Sequence, residues 1–139
     1  MRAAAVQFFA TPLNPSRNLE TAERLVRKAA AEGAQVVVLP ELFASGYVYS
    51  PRLFEFVETE AGPTAKWVAG LSAELGVLLG GTALLREGGR ILNTFILTEP
   101  SGTIHRYSKQ HPFLWERCFF EAGHSPVIAG DVDHGGAAL

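Results

Sequence analysis

The chain opens on a run of small and apolar residues, Ala3–Phe9, closed by Thr11-Pro12 and Asn14-Pro15-Ser16. An apolar run bounded by turn residues predicts a buried strand leading into a loop. The period then changes to that of a helix. Leu19, Ala22, Val26, Ala29 and Ala30 recur at three- and four-residue steps, with Arg17, Glu20, Glu23, Arg24, Arg27 and Lys28 on the opposite side. This predicts an amphipathic helix over Leu19–Ala30, begun by Pro15 or Ser16 and ended by a left-handed Gly33. Gln35-Val36-Val37-Val38-Leu39-Pro40 is β-branched and does not alternate, which predicts a short strand covered on both faces. Strand, helix and strand within forty residues make a crossover unit. Glu41 therefore sits at or just past the C-terminal end of a buried strand, where open α/β sheets bind ligands.

The second half changes character. Residues Leu42 to Glu60 are mixed and aromatic, broken by Gly46 and Pro51, and read as loop with a short helical piece. Trp67, Val68, Leu71 and Leu75 share one face of a helix over Thr64–Leu75, with Thr64 as a candidate cap and Gly76 as its end. Val77–Ala83, Ile91–Leu97 and Thr103–Tyr107 then read as strands, separated by turns at Glu87-Gly88-Gly89-Arg90 and Glu99-Pro100-Ser101-Gly102. A crossover unit followed by a hairpin meander, with no linker or repeat between, predicts one α/β unit spanning residues 1–139.

Composition narrows the function classes. Charged residues are 19% of the chain, the formal net charge is −2, and Lys and Arg are spread along it. No basic patch marks a nucleic-acid surface. No Gly-x-Gly-x-x-Gly or phosphate loop follows either early strand, which argues against a nucleotide-binding doubly wound domain. No apolar stretch approaches the roughly twenty residues of a membrane span. The single cysteine, Cys118, rules out an internal disulfide and fits a cytoplasmic protein. His105, His111, His124 and His134 lack metal-ligand spacing, so neither a metal nor another cofactor is expected.

Three segments carry the candidate chemistry: Leu39-Pro40-Glu41-Leu42-Phe43 with Gly46-Tyr47 behind it, Arg106-Tyr107-Ser108-Lys109-Gln110-His111-Pro112-Phe113, and Glu116-Arg117-Cys118-Phe119-Phe120-Glu121-Ala122-Gly123. Their order, spacing and flanks resemble the nitrilase superfamily of carbon–nitrogen hydrolases, and Asn93-Thr94-Phe95 matches that family's usual strand, with Leu92 where an aromatic is commoner. The resemblance runs from Arg2 to about Gly136. It implies part of an α-β-β-α sandwich with its C-terminal half missing, and hydrolysis of amide, nitrile or carbamoyl bonds in small molecules by glutamate, lysine and cysteine. Residue by residue, Glu41 matches the general base, Lys109 the lysine and Glu116 the supporting glutamate. Members commonly associate through helices, which implies a homo-oligomer.

Those roles are chemically coherent. A carboxylate takes the proton of an attacking thiol, a fixed ammonium stabilises the negative charge that develops, and a second carboxylate holds the ammonium. Phe43 and Tyr47 read equally as pocket lining or core. His111 reads as structural, since the family's chemistry uses no histidine. The expected nucleophile is absent: Cys118 falls inside a segment the family does not use for it, and the sequence ends at Leu139 within a few residues of where the cysteine-bearing strand would begin or run. Two readings stay open at this point. One is a fragment of a hydrolase, inactive alone; the other is a non-catalytic ligand-binding or interaction module on the same half-fold.

Overall fold

The computed structural model describes residues 1–124 and places a single five-stranded sheet at their centre, in spatial order β1-β2-β3-β4-β5. The strands are β1 (Ala3–Ala5), β2 (Val36–Val38), β3 (Leu78–Glu87), β4 (Arg90–Thr98) and β5 (Ile104–Ser108). Helix α1 (Pro15–Ala31) joins β1 to β2, and helix α2 (Pro63–Leu75) precedes β3. The crossovers make β1, β2 and β3 parallel, and the tight turns make β3, β4 and β5 antiparallel. Among the described residues no helix is long and apolar enough to cross a membrane.

Local chemistry sets most of these boundaries. Helix α1 starts one turn earlier than its apolar stripe. Asn14 caps it by accepting a hydrogen bond from the Arg17 N–H at 3.2 Å, and Pro15 follows in the first turn. Gly33, at φ +87°, turns the chain out of the helix as its position predicts. Thr64, by contrast, does not cap α2. The capping residue is Gly62, which has no side chain to offer, and the Glu58 carboxylate takes over by accepting from both the Thr64 N–H (2.9 Å) and its hydroxyl (2.6 Å). The β3–β4 turn closes tightly on Gly88 and Gly89, both at positive φ, so these strands extend further than their apolar runs. Strand β1 is shorter than its apolar run, ending at Ala5, although the Val6 N–H still reaches the Val38 carbonyl at 2.8 Å.

Both helices pack on the same face of the sheet. Ala22 and Val26 of α1, Val68 and Leu71 of α2, Val37 and Leu79 form its main core, each buried to 95% or more. Full burial of a valine stabilises by roughly 1.5–3 kcal/mol, so this layer fixes the handed crossover. A second core of Ala65, Ala83, Leu85 and Ile96 continues along the same face. Phe43 belongs here as well: fully buried, its ring centroid lies 5.7 Å from that of Trp67. It is core, not pocket lining. The opposite face differs from expectation. The strand Val36–Val38 does not alternate, yet only one of its faces is covered, and Val38 is 39% exposed. Among the described residues the helices take one side only, so valine on the other side meets no layer.

Candidate active site

The loop after β2 carries Glu41 across the sheet rather than away from it. The Leu39 N–H pairs with the Gly80 carbonyl of β3 at 2.7 Å, and the Leu42 N–H donates to Thr82 Oγ1 at 2.6 Å. Leu42 takes a positive φ of 49° to make this turn. Close approach is allowed by Gly81, where an added Cβ would lie 2.7 Å from the Phe43 ring. Glu41 thus arrives beside β4, where Asn93 Nδ2 donates to its Oε1 at 2.6 Å.

Lys109 reaches the same point from the other side. It follows β5 directly, and its backbone N–H bonds to the Asn93 carbonyl at 2.8 Å. Its own carbonyl accepts from the Gly123 N–H at 2.8 Å, so the lysine backbone is held on both sides. The ammonium donates to Glu41 Oε1 at 3.0 Å and to Glu116 Oε1 at 2.7 Å. The three residues singled out in the sequence therefore share one cation and its two carboxylates. The strands that deliver Glu41 and Lys109, β2 and β5, are separated by β3 and β4 rather than being neighbours. The crossing loop closes that gap.

Glu116 is the buried member, with 2% of its side chain exposed against 32% for Lys109 and 40% for Glu41. It sits in a short 3-10 helix (Leu114–Cys118) and folds back so that its Oε2 accepts from the Phe113 N–H that precedes the helix. Its Oε1 accepts from Lys109 and from the Tyr47 hydroxyl at 2.5 Å. Tyr47 spends its proton there, so the Tyr49 hydroxyl, 3.1 Å away, is the donor between the two tyrosines. Tyr47 is thus a member of the site that the sequence left undecided between pocket and core.

These contacts set the charges. Burial pushes the Glu116 carboxyl up, but the bonds from Lys109, Phe113 and Tyr47 outweigh it and leave the group below the ordinary carboxylate value. Burial likewise works against the Lys109 ammonium, and the two carboxylates overcome it, so the lysine holds its proton more firmly than usual. Burial and the neighbouring Glu116 charge together hold the Tyr47 phenol well above its ordinary range. At neutral pH Glu116 is therefore a carboxylate, Lys109 an ammonium and Tyr47 a neutral phenol.

Glu41 and Lys109 open onto a cleft of about 350 Å³. Its floor is one cross-strand row, Thr82, Phe95 and Tyr107, which are partners across β3, β4 and β5. Asn93 lies beside this row, and Gln110 and His111 line the mouth. His111 is exposed there. Both Glu116 oxygens accept a hydrogen bond, whereas among the described residues no donor reaches Glu41 Oε2. A partly exposed carboxylate with one oxygen free of described donors, next to an ammonium bonded to two carboxylates and an apolar floor, suits proton transfer beside a reacting group whose oxygen or nitrogen gains negative charge. Cys118 is exposed and does not line the cleft. No group of three or more metal-ligating side chains forms among the described residues. The tail that bears on the missing nucleophile, residues 125–139, lies outside the described residues.

The profile of the carbon-nitrogen hydrolase family matches residues 2–138. Over 126 residues the chain is 34% identical to a nitrilase from Pyrococcus abyssi, spanning 88% of this chain and 48% of that one. It is 35% identical over 116 residues to an omega-amidase from Xenopus tropicalis, spanning 81% of this chain and 41% of the relative. Among solved structures, an amidase from Nesterenkonia sp. AN1, carrying acrylamide added at its active-site cysteine, superposes with a TM-score of 0.82. That match is 28% identical and covers 99% of this chain and 55% of the amidase. The chain spans about half the length of the relatives it matches.

Proposed function

The chain belongs to the carbon-nitrogen hydrolase family, and on that premise we propose that its cleft holds the acid–base and charge-stabilising half of a glutamate–lysine–cysteine site for small amides or nitriles. One observation carries the reading: Lys109 Nζ bridges Glu41 and Glu116 at the mouth of a cleft floored by apolar side chains. In this reading a thiol loses its proton to Glu41 as sulfur attacks the amide carbon. The oxygen gains a negative charge that Lys109 stabilises, and Glu116 keeps that lysine charged and aimed. Glu41 then returns the proton to the departing amine. It next takes one from the water that opens the thioester and hands it to the leaving sulfur, regenerating the thiol and the free carboxylate. The acrylamide adduct at the active-site cysteine of the Nesterenkonia amidase mutant supports a cysteine nucleophile in this reading.

The thiol itself is not supplied by these 139 residues, because Cys118 stands outside the cleft. Loss of an acyl-transfer nucleophile lowers turnover on the order of a million-fold. The chain alone is therefore inactive on amides and nitriles while still binding them weakly. The competing reading, a binding module without chemistry, rests on the same position of Cys118. Ammonia release from a panel of amides, nitriles and carbamoyl compounds separates the cases, run on the chain and on Cys118→Ala. The expected result is no turnover by either. Turnover abolished by Cys118→Ala would mean that Cys118 is the nucleophile after all, and turnover that survives it would require a route without cysteine. Attachment of a cysteine-bearing remainder of the fold restores turnover under the proposed reading, and Glu41→Gln or Lys109→Met then removes it. A pure binding module stays inert.

A further inference from the structure

We infer that Asn93 is a positioning residue for Glu41: its side-chain amide pins one carboxylate oxygen and leaves the other as the one free to take a proton. The inference rests on the base role proposed above for Glu41. Asn93 lies in the middle of β4, 2% exposed, and points to the cleft while its neighbours Leu92 and Thr94 lie on the other side of the strand. Its Nδ2 donates to Glu41 Oε1 at 2.6 Å. A carboxylate only accepts, so this contact fixes which way the amide faces. Turned by half a rotation, two acceptors would oppose each other at the same distance.

Asn93 Oδ1 is buried and has no hydrogen-bond partner among the described residues. An asparagine kept only for packing or strand structure is normally satisfied at both ends. The directional contact of Asn93 among the described residues is thus the one its Nδ2 makes to Glu41. Glu41 needs the tether. Its side chain is 40% exposed and stands on a turn next to a positive-φ residue, outside any helix or strand. Lys109 also reaches Oε1, at 3.0 Å, but an ammonium on a flexible stem attracts without imposing direction. The planar amide on a central strand does impose it. With both donors on Oε1, and none described on Oε2, the proton-accepting oxygen is Oε2.

The test uses the isotopically labelled 139-residue chain and needs no turnover. In the unsubstituted protein the Asn93 side-chain amide resonances should move with pH through the carboxylate range. They should stop moving in Glu41→Gln and still move in Glu116→Gln. Three-bond couplings along the Glu41 side chain should report one rotamer, and collapse to averaged values in Asn93→Ser while the backbone amide spectrum is retained. An Asn93 amide that ignores pH, or titrates unchanged in Glu41→Gln, overturns the inference. So do Glu41 couplings that are unaltered in Asn93→Ser. Should Asn93→Ser not fold, the Glu41→Gln comparison decides alone, since it leaves Asn93 in place. Because these readouts report hydrogen bonding and order, their failure is distinguishable from failure of the base role, which only turnover in the restored enzyme reveals.

Discussion

At the residue scale, the site is organised by which oxygens are already taken. Glu116 has donors on both oxygens and is 2% exposed, so its part is to hold Lys109 rather than to exchange protons. That arrangement makes the fold sensitive to acid. A carboxyl whose pKa is lowered on folding stabilises the protein above its ordinary value of 4.5, and that stabilisation is lost as pH falls through the lowered value. Glu116→Gln should therefore cost about 2 kcal/mol at pH 7, as expected for removing a charged partner from a buried network. Below pH 4.5 the difference from the unsubstituted chain should narrow. Urea unfolding at pH 7 and pH 3.5 checks this; curves that stay equally far apart at both would contradict the assignment. Lys109→Met is a separate probe. It leaves two carboxylates facing each other without their cation, at a position between exposed and buried. A loss of about 2 kcal/mol is expected, between the values for surface and buried pairs. Replacing Glu41 as well should return part of it in a double-mutant cycle.

At the element scale, the lysine is aimed by a close approach between two backbones. The segment after the 3-10 helix runs back along the start of β4, with the Glu121 N–H on the Ile91 carbonyl at 2.8 Å, and then passes the end of β5 at Gly123. A Cβ at Gly123 would lie 2.5 Å from the Ser108 carbonyl oxygen, a backbone atom that cannot swing aside. Gly123→Ala should therefore destabilise by about 1–3 kcal/mol. It should also loosen Lys109, whose carbonyl is bound by the Gly123 N–H. Hydrogen exchange at the Gly123 amide is the measurement, and faster exchange with the α1 and α2 amides unchanged is the expected pattern. An unaltered protein would show that the segment is free to move off the strand. Helix α2 makes the parallel point about caps, since its N-terminal donor is served by Glu58, six residues from Thr64 and outside the helix.

At the scale of the whole molecule, the helices cover one face of the sheet, Leu42, Leu53 and Phe120 pack against Leu84 on the other, and the β1–β2 end of that other face stays exposed. Ala3, Ala5 and Val38 are exposed there, and Phe113, Leu114 and Trp115 stand 65–67% exposed at the start of the short helix beside the site. Exposed apolar side chains of this kind favour association. Size-exclusion chromatography with light scattering should find dimers or larger species that dissociate as the chain is diluted. A monomer at all concentrations, unfolding cooperatively, would mean that the face is tolerated in water. The same face explains why β2 misleads as a sequence: three valines in a row predict two covered faces, and the described residues supply one.

Period and turn chemistry determined the elements from sequence alone. The α1 stripe, Gly33 after it, the two-glycine turn between β3 and β4, and the order of strands are local signals, written within a few residues of where they act. The motif segments brought Glu41, Lys109 and Glu116 forward only together, because their order, spacing and flanks resemble the carbon–nitrogen hydrolases where each segment alone would not. Tertiary structure alone decided the rest. That β2 and β5 deliver their residues to one point across two intervening strands depends on the Leu39–Leu42 crossing, whose anchors lie on β3 some forty residues away. The membership of Tyr47 and Asn93 in the site, and the assignment of Phe43 to the core, rest on contacts 24 to 69 residues apart in sequence. Hydrogen bonds and packing between distant segments leave no period in a sequence, so only the folded chain distinguishes a tyrosine that holds Glu116 from one that merely fills space.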